Sequence, residues 1–325
     1  MTFERRIGRV LVIAVAGSFT VPAAAQTWPD RTVRVIVPFA PGGGVDTVAR
    51  VVANRLTAQM DKPFVVDNRP GAGGTIGAEL AAKAYPDGYT LLVSAFEMSI
   101  NPTMRSKLNY DVFKDFIYIS QLASANYILA CHPTVPVKTV KDLIALAKAR
   151  PGQLNYGSSG VGGGNHLTLE LFSAMAGIRW VHVPYKGSAL AITAVISGEI
   201  DCTIGSTNAV LPQVLAGRAR ALGVTGTTRV EQLPDLPTIG ESAIPGYVVT
   251  GWYGFYAPAG TPPDVIRRLY AETKRGLESS EAKEQLRMLG NEPVGSSPQE
   301  FLAFARAEAD KWAKLVKDIG LKKIN

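Results

Sequence analysis

The chain has 325 residues, a formal net charge of +7, 46% apolar residues and two cysteines. That length supplies two cores at about 150 residues each, while two cysteines cannot make a disulfide framework. Lysine and arginine are spread out with no basic run interleaved with aromatics, which argues against a nucleic-acid face and leaves mild basicity as a hint of an acidic ligand.

At the start, Arg5, Arg6 and Arg9 precede the apolar run Val10 to Ala16, and Ala23, Ala24 and Ala25 offer small residues for cleavage. Residues 1–25 therefore read as a secretory signal peptide, and the run is too short for the roughly 30 Å of a bilayer core. Its removal takes away three arginines and Glu4, leaving a charge of +5. No later stretch is long and apolar enough to span a membrane. Export permits a bridge between Cys131 and Cys202, and buried free thiols are the alternative.

Next comes "VRVIVPFAPGGGVDTVAR", residues 33–50, which predicts a strand, a glycine turn and a helix. Such a turn places free N–H groups and the positive end of a helix dipole around an anion. A phosphate-binding loop needs Gly-Lys-Ser/Thr, and here Gly44 is followed by Val45 and Asp46. The dinucleotide pattern fails for want of its third glycine. A smaller anion such as a carboxylate fits. Phe39 and Ala40 lead into the turn, Gly43 and Gly44 offer donors, and Asp46 either caps the helix or meets a cationic group. "DNRPGAGGTIGAELAA", residues 67–82, is a second glycine turn before a helix. "YTLLVSAFEMSINP" then predicts a buried strand that leaves Ser94 at its carboxyl end, while Glu97 just beyond would repel an anion unless it points away.

The strand-like runs "FVVDN", "YILACH", "LNYGSS", "WVHVPY", "DCTIGS" and "RALGVT" alternate with helical periodicity, which predicts an α/β protein with largely parallel sheets. Thr139 to Ala149 reads as an amphipathic helix stopped by Pro151-Gly152. "LNYGSSGVGGGNHLTLELF" repeats the strand, glycine turn and helix of the opening, with Ser158, Ser159, Gly160, Gly163, Asn165 and His166 gathered at the helix start. The hydrolase elbow G-x-S-x-G is absent around Ser159, and the three histidines do not fall at metal-site spacing. "HVPYKGSALAI" ends a strand on Tyr185, Lys186 and Gly187, which can serve a carboxylate with a hydroxyl, a charge and a close backbone approach. "IGSTNA" adds Ser206. Two such units predict two α/β domains facing each other across a cleft with ligand beyond the carboxyl ends of the strands. Helix patterns over Pro263 to Leu277, Ser280 to Leu289 and Pro298 to Ile319 complete the chain.

In this order and spacing, "VRVIVPFAPGGGVDTVAR", "VVDNRPGAGGTIGA", "YPDGYTLL", "LNYDVFKDF", "LNYGSSGVGGGNHLTLELF", "VPYKGSALAI", "LPDLPTIGES", "GWYGFYAPAGTP" and "KWAKLVKDIGL" resemble the periplasmic receptors of the tripartite tricarboxylate transporter substrate-binding family, the Bug proteins. The resemblance implies a Venus-flytrap fold of two α/β lobes joined by two crossing strands. Residues 27–129 and 250–325 would form lobe 1 and residues 130–249 lobe 2, with crossings near Asn126 to Cys131 and Tyr247 to Trp252. It further implies a monomeric, non-catalytic periplasmic receptor without cofactor or metal. Such a receptor takes a small organic carboxylate, such as a di- or tricarboxylate, an aromatic acid or an amino acid, and delivers it to integral membrane permease subunits. Carried over onto this chain, Phe39 to Asp46 would grip one carboxylate, with Ser158 to His166 and Tyr185 to Gly187 as the second lobe's share. Gly205 stands where many relatives carry an acidic residue. A sensor for a signalling membrane protein, or an exported hydrolase using Ser158 or Ser159 with His166, are the alternatives.

Overall fold

The computed structural model describes residues 28–320, 323 and 324; the signal-peptide reading of residues 1–25 lies outside the described residues. The chain opens with β1 (Val33–Val37), α1 (Gly44–Met60), β2 (Phe64–Asn68), a single 3-10 turn at Ala72–Gly74, α2 (Thr75–Ala82), β3 (Thr90–Ala95), α3 (Glu97–Met104) and the long β4 (Phe116–Ala125). It then changes sheets at Asn126. The second unit comprises β5 (Tyr127–Cys131), α4 (Val140–Ala149), β6 (Asn155–Ser158), α5 (Gly164–Ala176), β7 (Val181–Pro184), α6 (Ser188–Ile196), β8 (Cys202–Ser206), α7 (Thr207–Leu215), β9 (Arg220–Val224) and α8 (Ile239–Ser242). After Val249 pairs with Thr225, β10 (Gly251–Pro258) re-enters the first sheet, followed by α9 (Pro263–Glu278), α10 (Ser280–Met288), β11 (Asn291–Pro293) and α11 (Pro298–Asp318).

Two sheets result, a six-stranded one in the order β11-β4-β10-β3-β1-β2 and a five-stranded one in the order β7-β6-β8-β5-β9. Each is the floor of one lobe. The expectation of largely parallel sheets needs correction. β1 pairs in parallel with β2 and β3, and β6 with β7 and β8, but β10, β11 and β5 run antiparallel to all their neighbours. For β5 and β10 the reason is topological: a strand arriving from the other lobe has no crossover helix to turn it and enters its sheet directly in the opposite sense, while β11, reached through α9 and α10, runs in the sense of β10 and so opposes β4.

Local signals explain the helix boundaries. Thr139 and Asp142 form a reciprocal capping box on α4, as Ser297 and Glu300 do on α11. β10 is buried along its whole length, with Trp252 and Tyr256 against Phe301 of α11 and Tyr253 on the cavity. Cys131 and Cys202 sit opposite each other in the β5/β8 register and are joined by a disulfide, so the open question of their state resolves to the bridge. No helix among the described residues is long and apolar enough to cross a membrane.

Candidate functional site

Five strands end at the seam between the lobes, and each hands over to a helix within a few residues: β1 to α1, β3 to α3, β6 to α5, β7 to α6 and β8 to α7. Helix N-termini carry unpaired N–H groups and partial positive charge, so their convergence builds a local field suited to an anion without a cationic side chain. A cavity of about 30 Å³ lies at that convergence, room for about two waters. Lobe 1 supplies Phe39, Gly43, Gly44 and Val45 from the start of α1, Ala95 to Glu97 from the start of α3, and Tyr253 from β10. Lobe 2 answers with Tyr127, Ser159, Gly164, Asn165, Ser188 and Ser206.

The lobes are in contact around it. Ala40 N donates to Lys186 O at 2.9 Å, and Asn208 Nδ2 to Gly42 O at 3.3 Å. Arg105, at the end of α3, donates from one terminal nitrogen to Ala72 O and to Val161 O, both at 2.5 Å, tying the two glycine turns together. This approach depends on missing side chains. A Cβ at Gly73 would stand 2.2 Å from Val161 O, and one at Gly164 would stand 2.4 Å from the Phe96 ring.

The sequence-derived residues divide into those that face the cavity and those that brace its walls. Phe39, Gly43, Gly44, Ser159 and Ser206 face it. Ala40 and Gly187 lie where the lobes touch, since a Cβ at Gly187 would stand 3.2 Å from Ala40 N. Asp46, only 3% exposed, reaches back along its helix. It accepts from Gly42 N at 3.0 Å, from Asn68 Nδ2 at 2.9 Å and from Arg50 Nε at 3.0 Å, so it holds the glycine turn rather than a ligand. Burial alone would raise its pKa; the bonds from Arg50, Gly42 and Asn68 outweigh that and hold the carboxyl below its ordinary value. Gly43, at the N-terminal boundary of α1, has no side chain to cap the helix, so the helix's first N–H groups stay open while Asp46, in the first turn, takes Gly42 N from the loop.

In lobe 2, Ser158 Oγ accepts from Gly160 N at 3.1 Å and lies 2.6 Å from His182 Nε2, behind the loop. His166 Nδ1 accepts from Gly162 N at 3.2 Å, and its ring stacks on His182. Both imidazoles are held neutral. Burial, helped by the charge of Arg105, lowers His166 to about 4, and burial with the neighbouring His166 lowers His182 to about 3. Gly163 is the N-terminal boundary residue of α5. Tyr185 turns away to donate to Glu199 at 2.8 Å, and Lys186 is exposed, its carbonyl serving the inter-lobe bond. Ser94 donates to Glu97 at 2.5 Å.

Sequence reasoning passed over Phe96, Tyr127, Ser188 and Tyr253. Tyr127 and Tyr253 stand on the two strands at the lobe crossings, where an aromatic beside Gly251 and Gly254 was the available signal. Glu97 was singled out only as a repulsive group. It is 2% exposed, lines the cavity, and accepts at Oε1 from Ser94 Oγ and from Ala95 N at 3.0 Å.

Two lobes, two crossings and a buried cavity at converging helix N-termini define a solute-binding protein of the flytrap class. Residues 48–321 match the family described as tripartite tricarboxylate transporter family receptor, and the chain belongs to that family. It is 34% identical over 324 residues to Protein BugT of Bordetella pertussis, covering 99% of each chain. Among solved structures it resembles R. palustris Rpa4515 with adipate, at TM-score 0.88 and 37% identity over 91% of this chain and all of that one. It also resembles MatC (Rpa3494) from Rhodopseudomonas palustris with bound malate, at TM-score 0.85 and 29% identity over 89% of this chain and all of that one. The protein is accordingly a solute-binding receptor of this transporter family, and the Bug resemblance of its motifs is matched along almost the whole chain.

Proposed function

We propose that this receptor, after export to the periplasm, closes its lobes on one small organic carboxylate at the cavity and presents it unchanged to the membrane permease subunits of its transporter. The observation that carries this reading is the cavity itself, walled by both lobes and fed by helix N-termini, with no Lys, Arg or His in its lining among the described residues; at about 30 Å³ it is smaller than any such acid, so the lobes stand slightly further apart when they hold one. Backbone donors and helix dipoles there take the role that an arginine takes elsewhere. The adipate and malate held by Rpa4515 and MatC supply the chemical class. A ligand touching both lobes stabilises the closed state by its differential affinity, which couples binding to the surface that the permease meets.

Against a hydrolase, the Ser158 and His182 pair lies behind the glycine turn instead of on the cavity, where Ser159 donates to Asn165. The test is calorimetric titration of the mature chain, refolded to strip bound solute, with citrate, C4 to C6 dicarboxylates, aromatic acids and amino acids. Binding confined to one class, accompanied by compaction in small-angle scattering, is expected. Binding of no acid, or binding without compaction, overturns the reading.

A further inference from the structure

Among the described residues the cavity lining carries one formal charge, and it is negative. Glu97 opens α3, is buried to 2% exposure, and makes no ion pair among the described residues. Its two described bonds, from Ser94 and Ala95, both end on Oε1. Also on the cavity lining, Ser206 Oγ is buried with no hydrogen-bond partner among the described residues, and the buried Tyr253 Oη faces the Tyr127 hydroxyl. Buried polar atoms of this kind are normally satisfied, so the unpartnered Ser206 hydroxyl and the Glu97 carboxyl without a counterion mark this cavity as the place for a ligand's polar groups.

A ligand bearing only carboxylates would bring a second negative charge against Glu97 with no cation between them, forcing one of the two to hold a proton. A ligand carrying a carboxylate at one point and a cation at another meets both halves of the site, its carboxylate at the helix N-termini and its cation at Glu97. We propose that the solute is a small zwitterionic amino acid, and that Glu97 is the specificity-determining residue that receives its ammonium group. This rests on the carboxylate reading above and narrows it. Burial raises the pKa of Glu97 above the ordinary carboxyl value, against the bonds from Ser94 and Ala95, because the protein supplies no counterion; the ammonium supplies it.

The experiment is calorimetric titration of the refolded mature chain at neutral pH with acid pairs that differ only by an α-amino group: aspartate against succinate, glutamate against glutarate, and alanine against propionate. An aminated member is expected to bind about 100-fold or more tightly than its deaminated partner. Glu97→Gln should reduce that preference to within about tenfold while the circular dichroism of the unliganded protein stays as in wild type. If the plain acid binds as tightly as the amino acid, or if Glu97→Gln leaves the preference intact, the inference is wrong while the carboxylate reading stands. If no amino acid binds at millimolar concentration while citrate, a dicarboxylate or an aromatic acid does, the inference is wrong and the carboxylate reading stands; if no acid of any class binds, both fail. The wild-type comparison decides even where the Gln variant does not fold.

Discussion

The two glycine turns that meet at the cavity look alike in sequence and are held by opposite chemistry. In lobe 1, the turn before α1 is braced by the ionised Asp46, which gathers Gly42 N, Asn68 and Arg50. In lobe 2, the turn before α5 is braced by neutral acceptors, His166 for Gly162 N and Ser158 for Gly160 N, backed by His182. A buried carboxylate needs a counterion at hand, and Arg50 on the same face of α1 provides it. The second turn has Arg105 nearby instead, already committed to backbone carbonyls and repelling a further positive charge. The contrast teaches that one loop geometry can be reached by an ion network or by uncharged rings, and that the choice fixes which loop responds to acid.

Four experiments bear on that contrast, starting with the largest effect. Only lobe 2 carries a bridge, Cys131 to Cys202, closing a sequence separation of 71 residues. Its loss by reduction or by paired Ala substitution should cost up to about 4 kcal/mol, seen as a lower midpoint in urea unfolding, with lobe 2 probes melting first. Asp46→Asn takes away Arg50's counterion and replaces one of the two acceptor oxygens with a donor facing donors, and should cost about 2 to 3 kcal/mol together with a loss of ligand affinity; unchanged stability would show that the ion network is dispensable.

Acid should then separate the lobes. Both histidines have folded pKa values, about 4 and about 3, below the ordinary 6.5, so the unfolded chain binds more protons between those limits and stability falls as pH drops from 6.5 toward 4. By pH 5 a fully buried ring loses about 2 kcal/mol, and the half-buried His182 less. Asp46, held below its usual value, loses its contribution only at lower pH. Melting temperatures of wild type and of His166→Asn and His182→Gln at pH 7.5 and 5 check this: the variants should flatten the slope, and equal slopes would reject the histidine account. The smallest effect concerns the meeting of the turns. Gly73, in the turn before α2, has a φ of +63°, so Gly73→Ala should lower the unliganded stability by about 1 kcal/mol and, by setting a methyl against Val161 O when the lobes close, should also lower affinity about tenfold. A wild-type affinity would mean that the turns do not approach this closely in the complex.

Much of the fold was legible because its strands are β-branched runs closed by Gly, Pro or Asn, and because Thr139 and Ser297 write their capping boxes locally. β4 escaped notice, since "FIYISQLASA" tapers into small polar residues whose burial depends on β10 and β11 on either side. The site was half legible. Phe39, Gly43, Gly44, Ser159 and Ser206 follow strand ends directly, where position in the chain predicts position at the cleft. The bracing roles of Asp46, His166 and Ser158, the turning away of Tyr185, and the entry of Tyr127 and Tyr253 depend on what stands opposite them.

The sequence by itself determined the alternation of strands and helices, the glycine turns that leave helix N-termini open, and the family to which such an order of motifs belongs. All of these are encoded within short stretches, through side-chain periodicity and backbone freedom. Tertiary structure alone decided that both crossing strands enter antiparallel, that the two cysteines face each other, and that Glu97 lines the cavity with no cation from the described residues beside it. Each of those depends on residues far apart in the chain arriving at one place, and the charge balance of a buried site is a property of everything that surrounds it.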